Sequence, residues 1–389
     1  MNLNDIILNY LADNEKGMQQ LITWFLNDVM NEEVAQQAGV PRYARSSTRR
    51  AHRNGYRPRS LKTRFGEISL QKPQLREIPF ETKVFERYSR TEKALVNAII
   101  ESYLQGVSTR NVETVVSHLG VNQVSASYVS KVGRELDAKV QDFMERPVDS
   151  YYPFLFVDAS YFKVRNESRY INKALLIIVG VRTDGHREVL AARVADAEYE
   201  LTWEGMFSDL KERGLDKVDL IISDGHKGIQ SAAGTMFPGS SWQMCHVHFI
   251  RAVLRKVPRK YHKEIAEILK ECLTDSNKLS EYAAQLDERG LSRAADTIYR
   301  FQHGLMNYRS FPPEFWKKIR TTNLVERINK ELKRRSRKIG AFPSDASLLR
   351  LAGSILIDIN EEWITGSRYL STKSEMICLD TVASDFTAT

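Results

Sequence analysis

Five short segments of strand type lie between residues 153 and 248, and their order limits the folds that this chain can adopt. Three follow one another directly. A helical stretch from Leu201 to Arg213 comes next, and the last two strands are separated by a further helix. This order predicts an α/β fold with a mixed sheet, in which the first, fourth and fifth strands run parallel. The segments are FLFVDASYFKVR, KALLIIVGVRT, REVLAARVAD, KVDLIISDGHKG and SSWQMCHVHF.

Helical periodicity dominates the chain on both sides of these strands. We expect an all-helical insertion that interrupts the sheet domain, two final helices that complete the domain, and a frayed polar tail. The predicted domains are 1–90, 91–150, a core in two parts at 151–248 and 319–370, the insertion at 249–318, and the tail at 371–389.

The N-terminal region combines two predicted helices, within residues 1–40, with a basic run. Residues 42–64 contain nine Lys and Arg and no acid, and the segment FGEISL that follows alternates like a short strand. Such a run is either a solvated arm or an element that tracks DNA phosphates, and the interleaved tyrosines favour DNA contact. The predicted contacts are Arg49, Arg50, Arg53, Arg57, Arg59, Lys62 and Arg64.

Residues 91–150 divide into three helical segments, with tight turns at Gly106 and Gly120. Three helices with this spacing predict a helix-turn-helix whose third helix enters the major groove of DNA. The alternative is a plain helical spacer. The third helix would contact DNA through Ser125, Ser127, Tyr128, Lys131 and Arg134.

The charge balance favours a polyanionic partner. The 389 residues include 57 Lys and Arg against 49 Asp and Glu, a formal net charge of +8, as in many proteins that bind nucleic acid. The three cysteines are too few for a disulfide framework, and there is neither a signal-peptide pattern nor a run of 18 apolar residues. We therefore expect a cytoplasmic protein that does not associate with a membrane.

Two aspartates stand where carboxylates are unusual. Asp158 lies inside an apolar strand, where an unpaired charge is costly, and Asp224 ends another apolar strand. Ligand sites in open sheets gather beyond the carboxyl ends of parallel strands, so the two carboxylates are neighbours if the two strands are. Taken alone, Asp224 is equally well explained as the start of a turn.

A third acid, Glu326, lies in the basic segment RTTNLVERINKELKRRSRK at residues 320–338. This excess of cations indicates an anionic ligand, because a solvated helix usually mixes its charges. Three acids without a soft ligand suit Mg²⁺ or Mn²⁺, whereas the alternative is a surface ion pair between Glu326 and Lys330. Glu331 is the rival ligand, but it points about 140 degrees away from Glu326. The cations placed to hold phosphates here are Lys227, Arg327, Lys330 and Arg334.

Cys245 and His248 form a Cys-x-x-His pair. A structural zinc site needs four ligands, and no second pair with suitable spacing is within reach. We therefore interpret His248 as a polar neighbour of the carboxylates and Cys245 as a small buried residue.

Four motifs in this order, DASYFKVR, SDGHKGI, WQMCHVHFIR and TTNLVERINKELKRRSR, resemble those of the bacterial Mutator-type transposases, the insertion-sequence 256 family. RNGYRPRSLKTRFGEISL resembles the N-terminal segment of the same family, so the resemblance covers most of residues 40–345. Ala252 departs from the pattern, which has Asn there. The resemblance implies an RNase H-like domain with a helical insertion, the catalytic acids Asp158, Asp224 and Glu326, and the family's Cys-x-x-His signature at Cys245 and His248.

These expectations describe a DDE-class DNA transposase that binds the terminal inverted repeats of its own insertion sequence. Two Mg²⁺ ions, for which Mn²⁺ can substitute, would support cleavage by water and then attack of the freed 3′-hydroxyl on target DNA. Two ends of double-stranded DNA imply at least a homodimer, acting in the bacterial cytoplasm and at the nucleoid. Two alternatives stay open: a nuclease or resolvase of the same fold without strand transfer, and a DNA-binding regulator.

Overall fold

The protein divides into two compact units, Met1–Glu135 and Leu136–Thr389. The computed structural model describes residues 11, 13–44, 46–63, 66–82, 84, 99–102, 126–167, 169–337 and 339–370. Several predictions fall outside these residues: the first N-terminal helix, the first two helices of the helix-turn-helix apart from a helical turn at 99–102, the polar tail, Arg64, and the side chains of Lys62 and Lys131.

The first unit contains one long helix and a β-hairpin. Helix α1 starts after Asp13, whose side chain accepts a hydrogen bond from the Lys16 amide, and stops at Gly39 in the left-handed conformation (φ 76°). Met30 and Val34 of this helix pack against the hairpin residues Leu61, Ile68 and Leu70. The elements are α1 (Asn14–Ala38), β1 (Arg53–Thr63) and β2 (Gly66–Leu75). Helix α2 (Ala126–Glu145) begins in this unit and continues into the second.

The second half of the basic run is a strand rather than an arm. Strand β1 pairs antiparallel with β2 along almost its whole length, with one irregularity between Arg53 and Tyr56. Leu61 and Thr63 point inward and are 3% and 2% exposed, whereas Arg57 is exposed. The run therefore ends in buried positions that follow its exposed basic ones, which a count of its charges does not reveal.

The second unit is built around the five-stranded mixed sheet that the strand order predicts, and this prediction is confirmed. The spatial order is β5–β4–β3–β6–β7, in which β4 is antiparallel to β3 and β5, while β3, β6 and β7 run parallel. The strands are β3 (Tyr151–Asn166), β4 (Arg169–Val181), β5 (Arg187–Ala195), β6 (Lys217–Ser223) and β7 (Ser241–Met244).

Helices cover both faces of this sheet. One face carries α3 (Glu200–Glu212) and α4 (Lys227–Met236), whose apolar side chains share a core with Leu155 and Val157 of β3. On the other face, the Phe154 ring packs edge-on against Phe311 and Phe315 at centroid distances of 5.0 and 6.1 Å. Both faces of β3 are thus removed from water, which makes a carboxylate in this strand conspicuous.

A run of helices follows β7 and has its own apolar core. Two longer helices come after it, and the last begins at Ser344 with a capping box. No helix in the described part of the chain is long and apolar enough to span a bilayer. The helices are α5 (His246–Leu254), α6 (His262–Cys272), α7 (Ser276–Glu288), α8 (Ser292–Phe301), α9 (Pro313–Ile319), α10 (Asn323–Ser336) and α11 (Asp345–Thr365), with 3₁₀ turns at Arg259–Tyr261, Gln302–Gly304 and Asn307–Ser310.

Candidate active site

Asp158 and Asp224 lie on neighbouring parallel strands at matching positions. Phe156 of β3 is opposite Ile222 of β6, and each aspartate comes two residues later in its strand's direction. Side chains alternate with a period of two, and paired strands are about 4.8 Å apart. The register therefore brings both carboxylates to the same face at the carboxyl end of β6, where open sheets of this kind bind ligands.

The Asp158 carboxylate is buried without a cationic hydrogen-bond donor. It is 7% exposed, and its side-chain hydrogen bond comes from an amide, from Asn329 Nδ2 to Asp158 Oδ2 at 2.9 Å. The Ala159 backbone amide also donates to this carboxylate. Burial raises the pKa of Asp158 to about 6; the charge of His248 opposes this rise, and those of Asp224 and Glu326 add to it. A buried acid beside other acids is typical of a site that receives a cation.

Helix α10 brings Glu326 to this pair of aspartates. Glu326 lies in the first turn of α10, and Asn329 is three residues further on, so both side chains point to the same side of the helix. Beyond α10 the chain returns to β3, where the Phe342 amide donates to the Lys163 carbonyl and the Arg165 amide donates to the Phe342 carbonyl, both at 2.8 Å. This pairing holds the segment after α10 against the strand that carries Asp158.

The Cys-x-x-His pair joins the two ends of the helical segment between β7 and α10. The amide and hydroxyl of Thr322, the residue before α10, both lie 3.3 Å from the Cys245 sulfur. The His246 amide donates to the Arg320 carbonyl at 3.1 Å. Cys245 is fully buried, so it acts as a packing and hydrogen-bonding contact that brings the start of α5 next to the start of α10.

This junction places two bases of α5 beside Glu326. Arg251 Nη1 lies 2.9 Å and His248 Nε2 3.6 Å from Glu326 Oε1. Burial alone would lower the pKa of His248, but its hydrogen bond with Cys245 and the charges of Cys245, Asp158 and Asp224 outweigh burial and raise it. A protonated His248 therefore sits among the carboxylates and partly neutralises them. The alternative ion pair, between Glu326 and Lys330, is not formed; Glu326 pairs with Arg251 instead.

A fourth carboxylate, Glu198, approaches Asp224 from the start of α3. Burial raises the pKa of Glu198, its hydrogen bond with Tyr161 lowers it, and the charge of Asp224 raises it further. Its Oε2 atom is buried and has no hydrogen-bond partner among the described residues. Sequence reasoning missed Glu198 because an acid just before a helix is common. It also missed Asn329 and Arg251, for which spacing from Glu326 and His248 is the only signal.

The cations predicted near the site are all exposed, but they differ in whether they form an ion pair within the chain. Lys227, Arg327 and Lys330 are exposed. Arg334 is also exposed, but its guanidinium forms two hydrogen bonds of 2.7 Å to Glu331. The hydrogen bond from Arg334 is the main reason that the pKa of Glu331 falls to about 2. The rival acid of α10 is thus held by arginines.

Several cations predicted to bind DNA lie on the first unit. Arg53 donates to the carbonyls of Val40 and Pro41 at 3.3 Å, and Arg49 donates to that of Ala44, so part of their hydrogen-bonding capacity is used within the turn before β1. Arg59 of β1 is partly buried. Three of the predicted contacts in this unit are exposed: Arg50, Arg57 and, on α2, Arg134.

The donor atoms of the three acids suit a hard divalent cation, although the acids do not form a preorganised coordination site. Among the described residues, no group of three or more His, Cys, Asp or Glu side chains is placed to hold a metal ion as it stands. Asp158, Asp224 and Glu326 nevertheless offer only oxygen donors, which Mg²⁺ and Mn²⁺ prefer. Glu326 is bound to Arg251, so binding an ion requires this carboxylate to loosen that pair.

Comparison with known proteins relates this chain to one family. The model of the family described as "Transposase, Mutator family" matches residues 3–366. The chain is 36% identical over 370 residues to the transposase for insertion sequence element IS256 in transposon Tn4001 of Staphylococcus aureus, with 93% of this chain and 94% of the relative covered. It is 33% identical over 375 residues to the transposase for ISRM5 of Rhizobium meliloti, covering 94% and 93%.

A further relative and one solved structure are also similar. The transposase for IS1081 of Mycobacterium tuberculosis is 35% identical over 361 residues, covering 91% of this chain and 87% of the relative. The "Drosophila P element transposase strand transfer complex" matches with a TM-score of 0.31 and 11% identity, covering 73% of this chain and 83% of that chain. A TM-score this low does not establish a shared fold.

Proposed function

The chain belongs to the Mutator family of transposases, and we propose that it moves an insertion sequence by DDE-class chemistry at Asp158, Asp224 and Glu326. The observation that carries the proposal is the matched register of the two aspartates on β3 and β6. The influence of Glu326 on the pKa of Asp158 supports it. Both observations support a joint role of three acids, from distant parts of the chain, on one phosphodiester.

In this proposal the three carboxylates hold two divalent ions, Mg²⁺ or Mn²⁺. Such ions, when bound, lower the pKa of an attacking water and stabilise charge on the leaving oxygen. The chain's own residues orient the DNA: the exposed Lys227, Arg327 and Lys330 are placed to bind backbone phosphates. Asp158 is buried, and the low dielectric constant of its surroundings strengthens charge interactions with its carboxylate.

The reaction has two steps. Water attacks a phosphodiester at the end of the element, which breaks the bond to the 3′-oxygen and leaves a 3′-hydroxyl and a 5′-phosphate. That hydroxyl then attacks a phosphodiester of the target DNA and displaces a target 3′-oxygen. The second step exchanges one phosphodiester bond for another, so it needs no external source of energy.

The finer features of fold and assembly belong to the same proposal. We infer an RNase H-like catalytic core, with the helices between β7 and α10 as its insertion and the predicted domain bounds. Residues 1–150 would recognise the terminal inverted repeats through the basic hairpin and the helix-turn-helix. Two ends must be held together, so the active species is at least a homodimer, and it acts on DNA in the bacterial cytoplasm.

The test is the Asp158→Ala variant, assayed for binding and for cleavage of labelled transposon ends in magnesium. We expect end binding to stay within about twofold and cleavage to fall by at least about a thousandfold, because removal of a group that stabilises transition-state charge has effects of this order. Asp219→Asn is the matched control, since Asp219 lies on β6 away from the site and accepts a hydrogen bond from Tyr151. Unchanged cleavage by Asp158→Ala would remove the proposal.

The same assay separates the alternatives. Pre-cleaved ends offered with target DNA give joined products for a transposase and none for a nuclease or resolvase. A regulator binds the ends and cleaves nothing in magnesium, even with the wild-type chain.

A further inference from the structure

Asn329 has the most direct contact with the carboxylate of Asp158. It is 6% exposed, and its Nδ2 donates to Asp158 Oδ2 at 2.9 Å. This orientation of the amide is the one that electrostatics requires, because an amide oxygen would be repelled by the carboxylate. Helix α10 therefore contributes two groups to the site, Glu326 and, one turn later, Asn329.

The stability of the fold does not account for this asparagine. A buried amide is costly unless its donor and acceptor are both used, and Asn329 Oδ1 has no hydrogen-bond partner among the described residues. Asn360 is the structural counterpart in the same unit: it is 5% exposed, and its Oδ1 accepts from the Val189 amide at 2.8 Å. An apolar residue at position 329 would avoid the cost of the unpaired oxygen, so the value of Asn329 lies in its contact with Asp158.

We propose that Asn329 is a positioning residue that fixes the rotation of the Asp158 carboxylate and ties the first acid to the helix that carries the third. The inference rests on the proposed function, since it assigns the role of a neighbour to the same three acids. Asp158, Asp224 and Glu326 repel one another when ionised. A neutral donor on Oδ2 of Asp158 keeps its carboxylate from turning away without adding a positive charge at the site.

The position of this contact also links two elements that the chain forms separately. Strand β3 and helix α10 are more than 150 residues apart in sequence, so the distance from Asp158 to Glu326 depends on how α10 packs. The Asn329 hydrogen bond sets this packing at the site itself. The predicted consequence of losing it is weaker cation binding, with little change in affinity for DNA.

The experiment compares Asn329→Asp and Asn329→Leu with the wild-type chain. Asn329→Asp keeps the shape of the side chain and replaces the donor with an acceptor, whereas Asn329→Leu keeps the bulk and removes both. Asn277→Asp is the matched control: it makes the same substitution at an exposed position of another helix, α7. Mn²⁺ affinity is measured by calorimetry without DNA, and the Mg²⁺ concentration for half-maximal cleavage, end binding and thermal melting are measured beside it.

We expect both Asn329 variants to bind Mn²⁺ about tenfold more weakly or worse, the scale of one lost hydrogen bond to a charged group. Their half-maximal Mg²⁺ concentration should rise in parallel, end binding should change by less than about twofold, and Asn277→Asp should match the wild type. Wild-type Mn²⁺ affinity in Asn329→Leu overturns the inference. If that variant melts below the assay temperature, an affinity of Asn329→Asp at or above that of the wild type overturns it.

Failure of this inference is distinguishable from failure of the proposed function. Cleavage that survives Asp158→Ala removes the function and the inference together. If Asp158→Ala abolishes cleavage while both Asn329 variants keep wild-type Mn²⁺ affinity, only the positioning role is lost.

Discussion

Two buried carboxylates of the same sheet have opposite surroundings. Glu188 on β5 is 8% exposed, and both of its oxygens are bound: Oε1 by Arg146 Nη2 at 2.7 Å and Oε2 by the Tyr152 hydroxyl at 2.8 Å. Asp158 on β3 is 7% exposed, has an amide donor on one oxygen, and lies near two further acids. Burial is equal in the two cases, so the partners decide the role. A fully partnered acid serves the fold, and an under-partnered one indicates a site.

A glycine in β4 allows the contact between Tyr152 and Glu188. The Tyr152 ring crosses β4 to reach Glu188, and it passes directly over Gly180. A Cβ at that position would lie 2.4 Å from a ring carbon of Tyr152, so only glycine leaves room for the contact. Among the described residues, no cation lies at hydrogen-bond distance from Asp158. A divalent ion would supply the positive charge that its carboxylate lacks.

The largest effect that tests this comparison is loss of stability in Glu188→Ala. The variant leaves the buried Tyr152 hydroxyl without its acceptor, and the partly buried Arg146 guanidinium with only the carbonyls of Phe143 and Val189. We expect its free energy of unfolding to fall by about 3 kcal/mol, as when one partner of a buried ion pair is removed. Urea denaturation measures this change, and cleavage per folded molecule should equal that of the wild type. A change below about 0.5 kcal/mol would show that this pair does not support the fold.

A smaller effect of opposite sign is expected for Asp158→Asn without divalent ions. Burial raises the pKa of Asp158 to about 6 in the folded protein, from the ordinary aspartate value of 3.8. The folded state therefore holds the proton to higher pH, and the wild type loses stability as pH rises through this window. Asparagine avoids that loss but forgoes the attraction to His248, so we expect a gain of about 1–2 kcal/mol at pH 8.

The control for this prediction is pH itself. Below about pH 3 the wild-type carboxyl is protonated in both states, so the two proteins should unfold at nearly the same urea concentration. At pH 8, lower stability of Asp158→Asn than of the wild type would mean that Asp158 is a structural acid like Glu188, and the comparison would fail.

The sequence predicts those parts of the site that local pattern determines. Asp158 and Asp224 are recognisable because each interrupts or ends an apolar strand, and the parallel order of β3 and β6 follows from the helix between them. The helical spacing of the apolar residues around Glu326 likewise predicts that it lies on a helix. These inferences need only neighbours in sequence and the rules of sheet topology.

The positions of the other groups in the site depend on how the two ends of the helical segment between β7 and α10 pack together. Arg251 faces Glu326 because Cys245 meets Thr322 at the junction of α5 and α10, and no spacing within α5 specifies that contact. The acceptor of Asn329 is likewise on a strand far away in sequence. The strand in the basic run from residue 42 is difficult to predict for another reason. The many charges of the run obscure its buried positions, such as Leu61 of β1.

The contrast between bound and free groups extends to the cations of α10, where the smallest effect is expected. Lys330 is exposed, whereas the Arg334 guanidinium is held by both oxygens of Glu331. Each phosphate contact contributes about 0.9 to the slope of log K against log salt. Lys330→Ala should therefore lower the slope for duplex DNA by about 1 between 50 and 200 mM salt, measured by fluorescence anisotropy.

Arg334→Ala should change that slope by clearly less, because Arg334 must give up Glu331 before it can bind a phosphate. The pair offers its own control: Glu331→Gln weakens the competing acceptor, so Arg334→Ala made in that background should regain an effect close to that of Lys330→Ala. Equal slopes for the two single variants would mean that the ion pair to Glu331 opens at no cost in the DNA complex. Partners within the chain would then fail to predict which cations act on DNA, although they would still separate Asp158 from Glu188.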